Sequence, residues 1–248
     1  MAAEAAVSTI DYGLDAPLVV KRMWSRAGWT IAFGIALFVM NRVEYPGPAT
    51  NILIVFALIA AVFAGVGGYM TWSSKSAKLS LREQLIDSLQ LAGEEKVLDA
   101  GSGLGLMTVG IAKRLKSGKV TGVDVWDQAV LSNNSADAAK ANAKAEGVAD
   151  KVRFESGDLR KLVYPDRNFD VVVSALAIHN LDGDADRMKA VLELFRVLKP
   201  GGKLLILDIL HTGDYAAELT AAGAEGVRAA SHGFLWCLPT KSVRATKK

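Results

Sequence analysis

The chain has a single cysteine, Cys237, in 248 residues. That excludes an intrachain disulfide and any cysteine-based metal cluster. Net charge is also small, +3 from 29 basic and 26 acidic side chains, too little to argue for a nucleic-acid partner. No internal repeat and no low-complexity tract is present. The absence with the largest consequence is local. Between Ala49 and Trp72 there is no charged residue, and a helix of that length measures about 36 Å against a bilayer hydrocarbon core of about 30 Å.

A second apolar run, from Ala27 to Met40, spans about 21 Å as a helix and crosses only if flanking residues such as Trp24 and Arg42 reach the interfaces. Lys21, Arg22 and Arg26 precede this run, and Lys75, Lys78 and Arg82 follow the uncharged one. Positive outer flanks around a charge-balanced connection, Asn41 to Pro48 with its Pro46-Gly47-Pro48 break, predict a helical hairpin with both ends in the cytoplasm. A cleaved signal peptide fits less well: Glu4, Asp11 and Asp15 precede the first run and no small-residue cleavage site follows Met40. A buried pair of globular helices is the other alternative. The expected organisation is a leader over 1–26, two transmembrane helices at about 27–43 and 49–72, and a cytosolic domain over 73–248. Within the leader, Asp11 to Pro17 reads as an ordered turn, against the plainer reading of a solvated tail.

The domain is organised around residues 96–105, Lys-Val-Leu-Asp-Ala-Gly-Ser-Gly-Leu-Gly. An apolar run ends in Asp99 and passes into Gly101, Ser102, Gly103 and Gly105, which predicts a buried parallel strand turning tightly onto a helix over 106–115. Without Cβ, glycine reaches backbone angles closed to other residues and lets a ligand approach the main chain. A dinucleotide fingerprint would place its third glycine where Leu106 stands, and Asp99 would repel a pyrophosphate. The pattern D-x-G-x-G-x-G favours a ligand with a cationic amino-acid end and no phosphate, such as S-adenosylmethionine (SAM).

A second strand over 119–124 ends on Asp124, about 20 residues past the glycines, where a two-unit β-α-β arrangement brings a carboxylate to a ribose. Val125 and Trp126 follow, Trp126 either as a wall for the adenine or as a core tryptophan. A third strand over 151–155 runs into Gly157, Asp158 and Leu159, an acid and an apolar residue placed to accept from the adenine amino group and pack on its ring. The fourth strand, 169–174, ends at Ser174 and reads as fully buried. Beyond it lie His179, a helix over 184–198 stopped by Pro200-Gly201-Gly202, and a fifth strand over 203–210 leading to His211 and Tyr215. Helices are expected over 79–91 and 136–146, and a closing antiparallel hairpin from the apolar segments at 234–238 and 242–245. Strand and helix alternate five times, so the fold class is α/β: a Rossmann-like, mostly parallel sheet with helices on both faces and ligands at the C-terminal strand ends.

With these residues in place the chain resembles the class I SAM-dependent methyltransferases. Asp99 to Gly105 is similar to their first motif, Asp124 to their ribose-binding acid, Asp158-Leu159 to their adenine contact, and Arg196 to Gly202 to their lead-in to strand five. It resembles in particular the branch that includes ubiquinone and menaquinone C-methyltransferases. It is similar as well to a membrane-anchored bacterial group with a Tyr-Gly-x-Asp-Ala-Pro leader, here Tyr12 to Pro17, a Ser-Lys-x-Gly-Lys segment, here Ser74 to Lys78 with Ala77 in place of glycine, and an Asp-x-Trp, here Asp124 to Trp126. The resemblance implies a seven-stranded sheet whose last strand is antiparallel, and SAM as cofactor.

It also implies direct attack of a substrate nucleophile on the SAM methyl group, with the protein contributing mainly alignment, worth about 7–11 kcal/mol. His179 is the first candidate base, since an imidazole titrates at about pH 6.5, with His211 and Tyr215 next and Tyr12 further if the leader folds over the pocket. A loop-holding hydrogen bond is the competing role for His179. No metal is expected: Asn180, Asp182 and Asp184 do not assemble the acidic pair and amide of magnesium-assisted catechol methylation, and arsenite methylation needs several thiols. The anchor implies a small acceptor, apolar or lipid-like, such as a prenylated quinone. Three alternatives stand beside this: a hairpin that only localises the enzyme, a non-catalytic SAM-binding regulatory or assembly module, and an NAD-binding oxidoreductase, which Leu106 disfavours.

Overall fold

The computed structural model describes residues 10–44 and 50–248. Residues 1–9 and the Pro46-Gly47-Pro48 connection lie outside the described residues.

Helix α1 (Pro17–Glu44) and helix α2 (Thr50–Trp72) pack side by side. Pro17 opens α1, where a missing N–H costs nothing. The helix thus starts before the apolar run and carries Lys21, Arg22 and Arg26, all exposed, so residues 17–26 are helical. The pair fits closely: a Cβ on Gly34 would stand 2.5 Å from Phe56 Cβ, and Phe33 meets Phe56 edge-on at 5.6 Å. Trp29, Phe33, Met40, Leu58 and Val62 face outward. Both helices are long and apolar enough to cross a membrane, and only 11% of each one's apolar stretch is buried.

A π-helical turn, Ser73–Ala77, joins α2 to α3 (Lys78–Asp87), so this helix begins as a continuation of the hairpin and ends before the expected residue 91. The sheet follows with β1 (Lys96–Ala100), β2 (Lys119–Asp124), β3 (Val152–Ser156), β4 (Phe169–Ala175), β5 (Leu198–Asp208), β6 (Glu225–Leu235) and β7 (Leu238–Thr246). Their order is β3-β2-β1-β4-β5-β7-β6, parallel except for β7, which runs antiparallel to both neighbours. Strand β5 takes in Pro200-Gly201-Gly202, which sequence reading leaves outside it. The pairing with β4 shifts register between Phe169 and Val171 to accommodate them.

Helices α4 (Leu106–Ala112) and α5 (Ala136–Ala145) lie with α3 on one face, and α6 (Asp184–Val197) and α7 (Thr212–Ala221) on the other. The period-2 alternation of the strands divides the core accordingly. Val97, Val171, Val173 and Leu205 pack with Leu85, Ile86 and Val109, whereas Leu98, Val172, Leu204 and Ile206 pack with Val191, Leu194 and Leu219. Asp99 follows the first set, so its carboxylate is buried against α4 at the end of β1.

Candidate functional site

Gly101, Gly103 and Gly105 have φ of +81°, +50° and +84°, a left-handed path that side chains rarely adopt. A Cβ on Gly101 would lie 2.2 Å from Ala177 Cβ, so the turns after β1 and β4 touch through the missing side chain. Asp99 Oδ2 accepts from the Thr108 N–H (2.8 Å) and hydroxyl (2.6 Å), while its Oδ1 is buried without a protein partner. Burial pushes the Asp99 carboxyl up to about 7 against the pull of the Thr108 bonds. An acid so placed would be stabilised in its ionised form by a cation reaching Oδ1.

Asp124 holds two turns together. Its Oδ2 accepts from the Gly103 N–H (2.8 Å) and its Oδ1 from the Trp126 N–H (2.6 Å) and Asn134 Nδ2 (3.2 Å). Of the hydrogen bonds expected to a ribose, one lone pair on Oδ2 remains. Asp158 is clamped by Arg160, with Nε at 3.0 Å and Nη2 at 2.7 Å, and these bonds hold its carboxyl below the usual carboxylate range.

A cavity of about 200 Å³ opens over these strand ends. Asp99, the turn 101–103, Asp124, Val125 and residues 157–159 line it; Gly105, Trp126 and Ser174 do not. Gly105 caps α4 beside Phe154, 3.0 Å from where its Cβ would stand. Trp126 leaves the strand at φ +63° and donates its Nε1–H to Ser156 Oγ at 2.8 Å. Ser174 is buried within β4.

The other end of the cavity is roofed by segments far apart in sequence. Residues 10–16 form a strap whose main chain bonds to 130–132: Ala16 N–H to Val130 O (3.0 Å) and Ser132 N–H to Leu14 O (3.1 Å). The buried Lys78 Nζ donates to Tyr12 O (2.8 Å), Gly13 O (3.3 Å) and Asp15 Oδ2 (2.9 Å), and Lys75 Nζ reaches Asp11 at 2.6 Å. Burial lowers the Lys78 pKa, with Asp15 working against the shift. Trp236, in the β6–β7 turn, donates Nε1–H to Asp15 Oδ2 (3.2 Å) and Ser74 Oγ (3.1 Å). Tyr12, Asp15, Lys78, Arg82 and Trp236 all line the cavity. The strap is thus docked against the domain over residues 10–16, with Tyr12 7% exposed.

The three candidate bases sit apart from the lining. His179, on a 3-10 turn Ile178–Asn180, points Nδ1 at Asp208 and donates its own N–H to Asp208 Oδ2 at 3.1 Å. The Tyr215 hydroxyl, fully buried, donates to the same carboxylate at 3.4 Å. His211 stands at the head of α7 beside Asp214, 3.5 Å away. Sequence reading passes over Asp208, the fully buried acid at the end of β5 around which His179 and Tyr215 gather. The apolar run ending in Asp-Ile-Leu-His is the one local signal of it. This cluster fixes the loop whose Ala177, Asn180 and Leu181 do line the cavity. Among the described residues no group of three or more His, Cys, Asp or Glu side chains is disposed to hold a metal ion.

Residues 98–206 match the model of a family described as "Methyltransferase domain". The chain is 32% identical to "Methyltransferase GfsG" of Streptomyces halstedii over 171 residues, 66% of this chain and 58% of that one. It is 31% identical to "Ubiquinone/menaquinone biosynthesis C-methyltransferase UbiE" of Bdellovibrio bacteriovorus, covering 51% of this chain and 49% of the relative. The chain therefore spans roughly half of the curated relatives it matches. Among solved structures, a SAM-dependent methyltransferase from Aquifex aeolicus superposes with a TM-score of 0.54 at 22% identity, covering 70% of this chain and 94% of the other. The [4+2]-cyclase SpnF superposes with a TM-score of 0.57 at 20% identity, covering 70% and 83%. At these identities the superpositions establish the fold alone.

Proposed function

We propose that residues 98–206, which match a methyltransferase-domain family, form a domain of the class I SAM-dependent kind, and that the chain transfers the methyl group of SAM to a small apolar or lipid-like acceptor at a membrane held by the α1–α2 hairpin. SAM is the cofactor that this reading calls for. When bound it supplies an electrophilic methyl on a sulfonium. The residues present fit it: the partnerless Oδ1 of Asp99 suits its ammonium, the open lone pair of Asp124 a ribose hydroxyl, and Leu159 one face of the adenine. The glycine turn and Asp158 give the chain a fixed seat for the donor, and His179, through Asp208, holds the loop that closes over it. Aligning two bound reactants is where most of the acceleration in such a site arises.

The observation that carries the acceptor reading is the roof. The elements over the far end of the cavity are tied to the hairpin: the strap runs into α1, Lys78 and Arg82 continue α2, Phe234 O near the end of β6 accepts from the Tyr69 hydroxyl, and the Trp236 N–H donates to Ser73 Oγ. An acceptor dissolved in a bilayer would meet the domain on this side.

Methyl-labelled SAM incubated with the full-length protein and a membrane extract of its host, followed by organic–aqueous partition of the label, tests the proposal. Label in the organic phase, absent with Asp99→Ala, is expected. Label confined to the aqueous phase would reduce the hairpin to an address, and no transfer despite SAM binding would favour a non-catalytic SAM-binding module.

A further inference from the structure

Of the charged side chains lining the cavity, the two cations, Lys78 and Arg82, sit one turn apart on α3 in the roof beside Asp15, and the others, Asp99, Asp124, Asp127 and Asp158, are all acids. Lys78 is matched by Asp15. Near Arg82, Lys113 is matched by Glu146, and Arg114 by Asp87 (2.7 Å) and Glu83 (2.6 Å). Arg82 is different. It is 8% exposed, its ring-facing side lies 5.5 Å from the Tyr12 centroid, and only one edge of its fork, Nε (2.6 Å) and Nη2 (2.5 Å), meets Glu83. Its Nη1 is buried and has no hydrogen-bond partner, although the guanidinium also lies in the field of Glu146, the carboxylate that accepts from the Tyr12 hydroxyl.

The position of the guanidinium is built into the neighbouring helix. A Cβ on Gly110 would stand 2.6 Å from Ile86 Cδ1, 2.9 Å from Arg82 Cδ and 3.1 Å from its Nε, so the glycine in the middle of α4 leaves room for both of these α3 side chains. A glycine inside a helix is a cost that a close approach of this kind explains. A guanidinium with an unspent donor, held flat against an aromatic ring, is suited to binding a carboxylate or another oxyanion.

We infer that Arg82 receives an ionised oxygen of the methyl acceptor, so that the acceptor is an apolar molecule bearing one acidic hydroxyl or carboxylic acid. This rests on the methyl-transfer reading above and specifies its substrate class. The acid binds after giving its proton to solvent, and the site then holds a cationic donor at one end and an anionic acceptor at the other, an arrangement whose attraction grows as water is excluded.

The test uses the full-length protein in detergent, loaded with S-adenosylhomocysteine so that no transfer occurs, and two probes of similar shape: para-nitrophenol and its neutral methyl ether, para-nitroanisole. The phenolate is expected to bind at least about tenfold tighter than the ether, and the visible titration of the bound phenol to move down by about one pH unit. Arg82→Gln should remove both effects, and Arg82→Lys, which keeps the charge but not the fork, should retain the pH displacement in part. Equal binding of the two probes, no saturable phenolate binding, or an undiminished preference in Arg82→Gln overturns the inference. SAM affinity is measured first on every variant. If the native protein fails to bind SAM, the methyl-transfer reading falls; if SAM binds and the acid preference is missing, only the role of Arg82 does. Should Arg82→Gln lose SAM binding or fold poorly, Arg82→Lys, which keeps the charge but loses the fork, must weaken the phenolate preference, and an unchanged preference there equally overturns the inference.

Discussion

The two ends of the cavity are built by different means. At the donor end, short loops directly after parallel strands carry every contact, and backbone geometry does most of the shaping: left-handed glycines, an Asp99 buried under α4, an Asp124 that ties two turns together. At the roof, side chains do the shaping across long sequence separations, with Lys78 bonded to residues 12–15 and Trp236 to Asp15 and Ser74. The first kind of site tolerates almost no change of backbone and much change of surroundings. The second is the reverse, because each of its bonds can open without unfolding the sheet.

The sharpest way to break this contrast is Gly101→Val. The new Cβ would lie 2.2 Å from Ala177 at a φ of +81°, so SAM affinity should fall by more than about 100-fold, near 2.7 kcal/mol. Calorimetric titration on protein whose circular dichroism is native would check it. Affinity close to that of the native chain would mean that the turn is adaptable and the contrast misplaced. Asp124→Ala comes next. It strips the Gly103 and Trp126 N–H groups and Asn134 of their acceptor, and a loss of about 10- to 100-fold in SAM affinity is expected, in line with about 1–3 kcal/mol for donors left unpaired.

A smaller effect separates the ends by pH. Asp99 ionises at about 3.8, the ordinary value for the side chain, when unfolded but only at about 7 in the fold. Between these values the fold keeps a proton that the unfolded chain has lost, so the ligand-free protein loses stability as pH rises from about 4 to about 7. A bound ammonium favours the carboxylate, so SAM binding releases that proton. Affinity should be roughly eightfold weaker at pH 6 than at pH 7.5, and Asp99→Asn should flatten the dependence. An equally steep profile in Asp99→Asn would assign the titration to another group.

The contrast also explains what could be read from the chain beforehand. The strand ends, the glycine turn and the order of alternating elements follow from local periodicity and turn chemistry, which act over a few residues and leave their mark in sequence. Tyr12 appears in sequence as part of a turn and as a further candidate base if the leader folds over the pocket, Arg82 as a flanking charge, and Trp236 only within an apolar hairpin segment, because what brings them together is the docking of a strap, a helix extension and a hairpin turn on one cavity. Asp208 was hidden for the same reason: the run before it announces a strand, but nothing local announces that His179 and Tyr215 converge on it. The early start of α1 was missed because apolar runs mark where a helix meets lipid or core, whereas its beginning is set by Pro17.

Cutting the roof should leave the donor end almost untouched. Lys78→Met deprives Tyr12 O, Gly13 O and Asp15 of their shared donor, and the strap should open, seen as faster hydrogen exchange over 11–16 with SAM affinity within about threefold of native. If SAM affinity collapsed with the strap, the two ends would be one structure.

The mildest change in SAM binding is expected from His179→Ala. Asp208 is fully buried and would keep the Ile209 N–H (2.9 Å), the main-chain N–H at position 179 and the Tyr215 hydroxyl, so the carboxylate remains satisfied and the sheet unaffected. What is lost is the side-chain tether of a loop that carries Ala177 against Gly101 and Leu181 into the cavity wall. SAM affinity should therefore change by about twofold or less, while turnover in the membrane-extract assay falls by about tenfold, the difference being alignment and not binding. His179→Gln, which can still hydrogen-bond Asp208, separates the two roles left to this residue. Recovery of most of the turnover would show that His179 holds the loop, whereas a loss as deep as that of alanine would require the imidazole itself to take a proton.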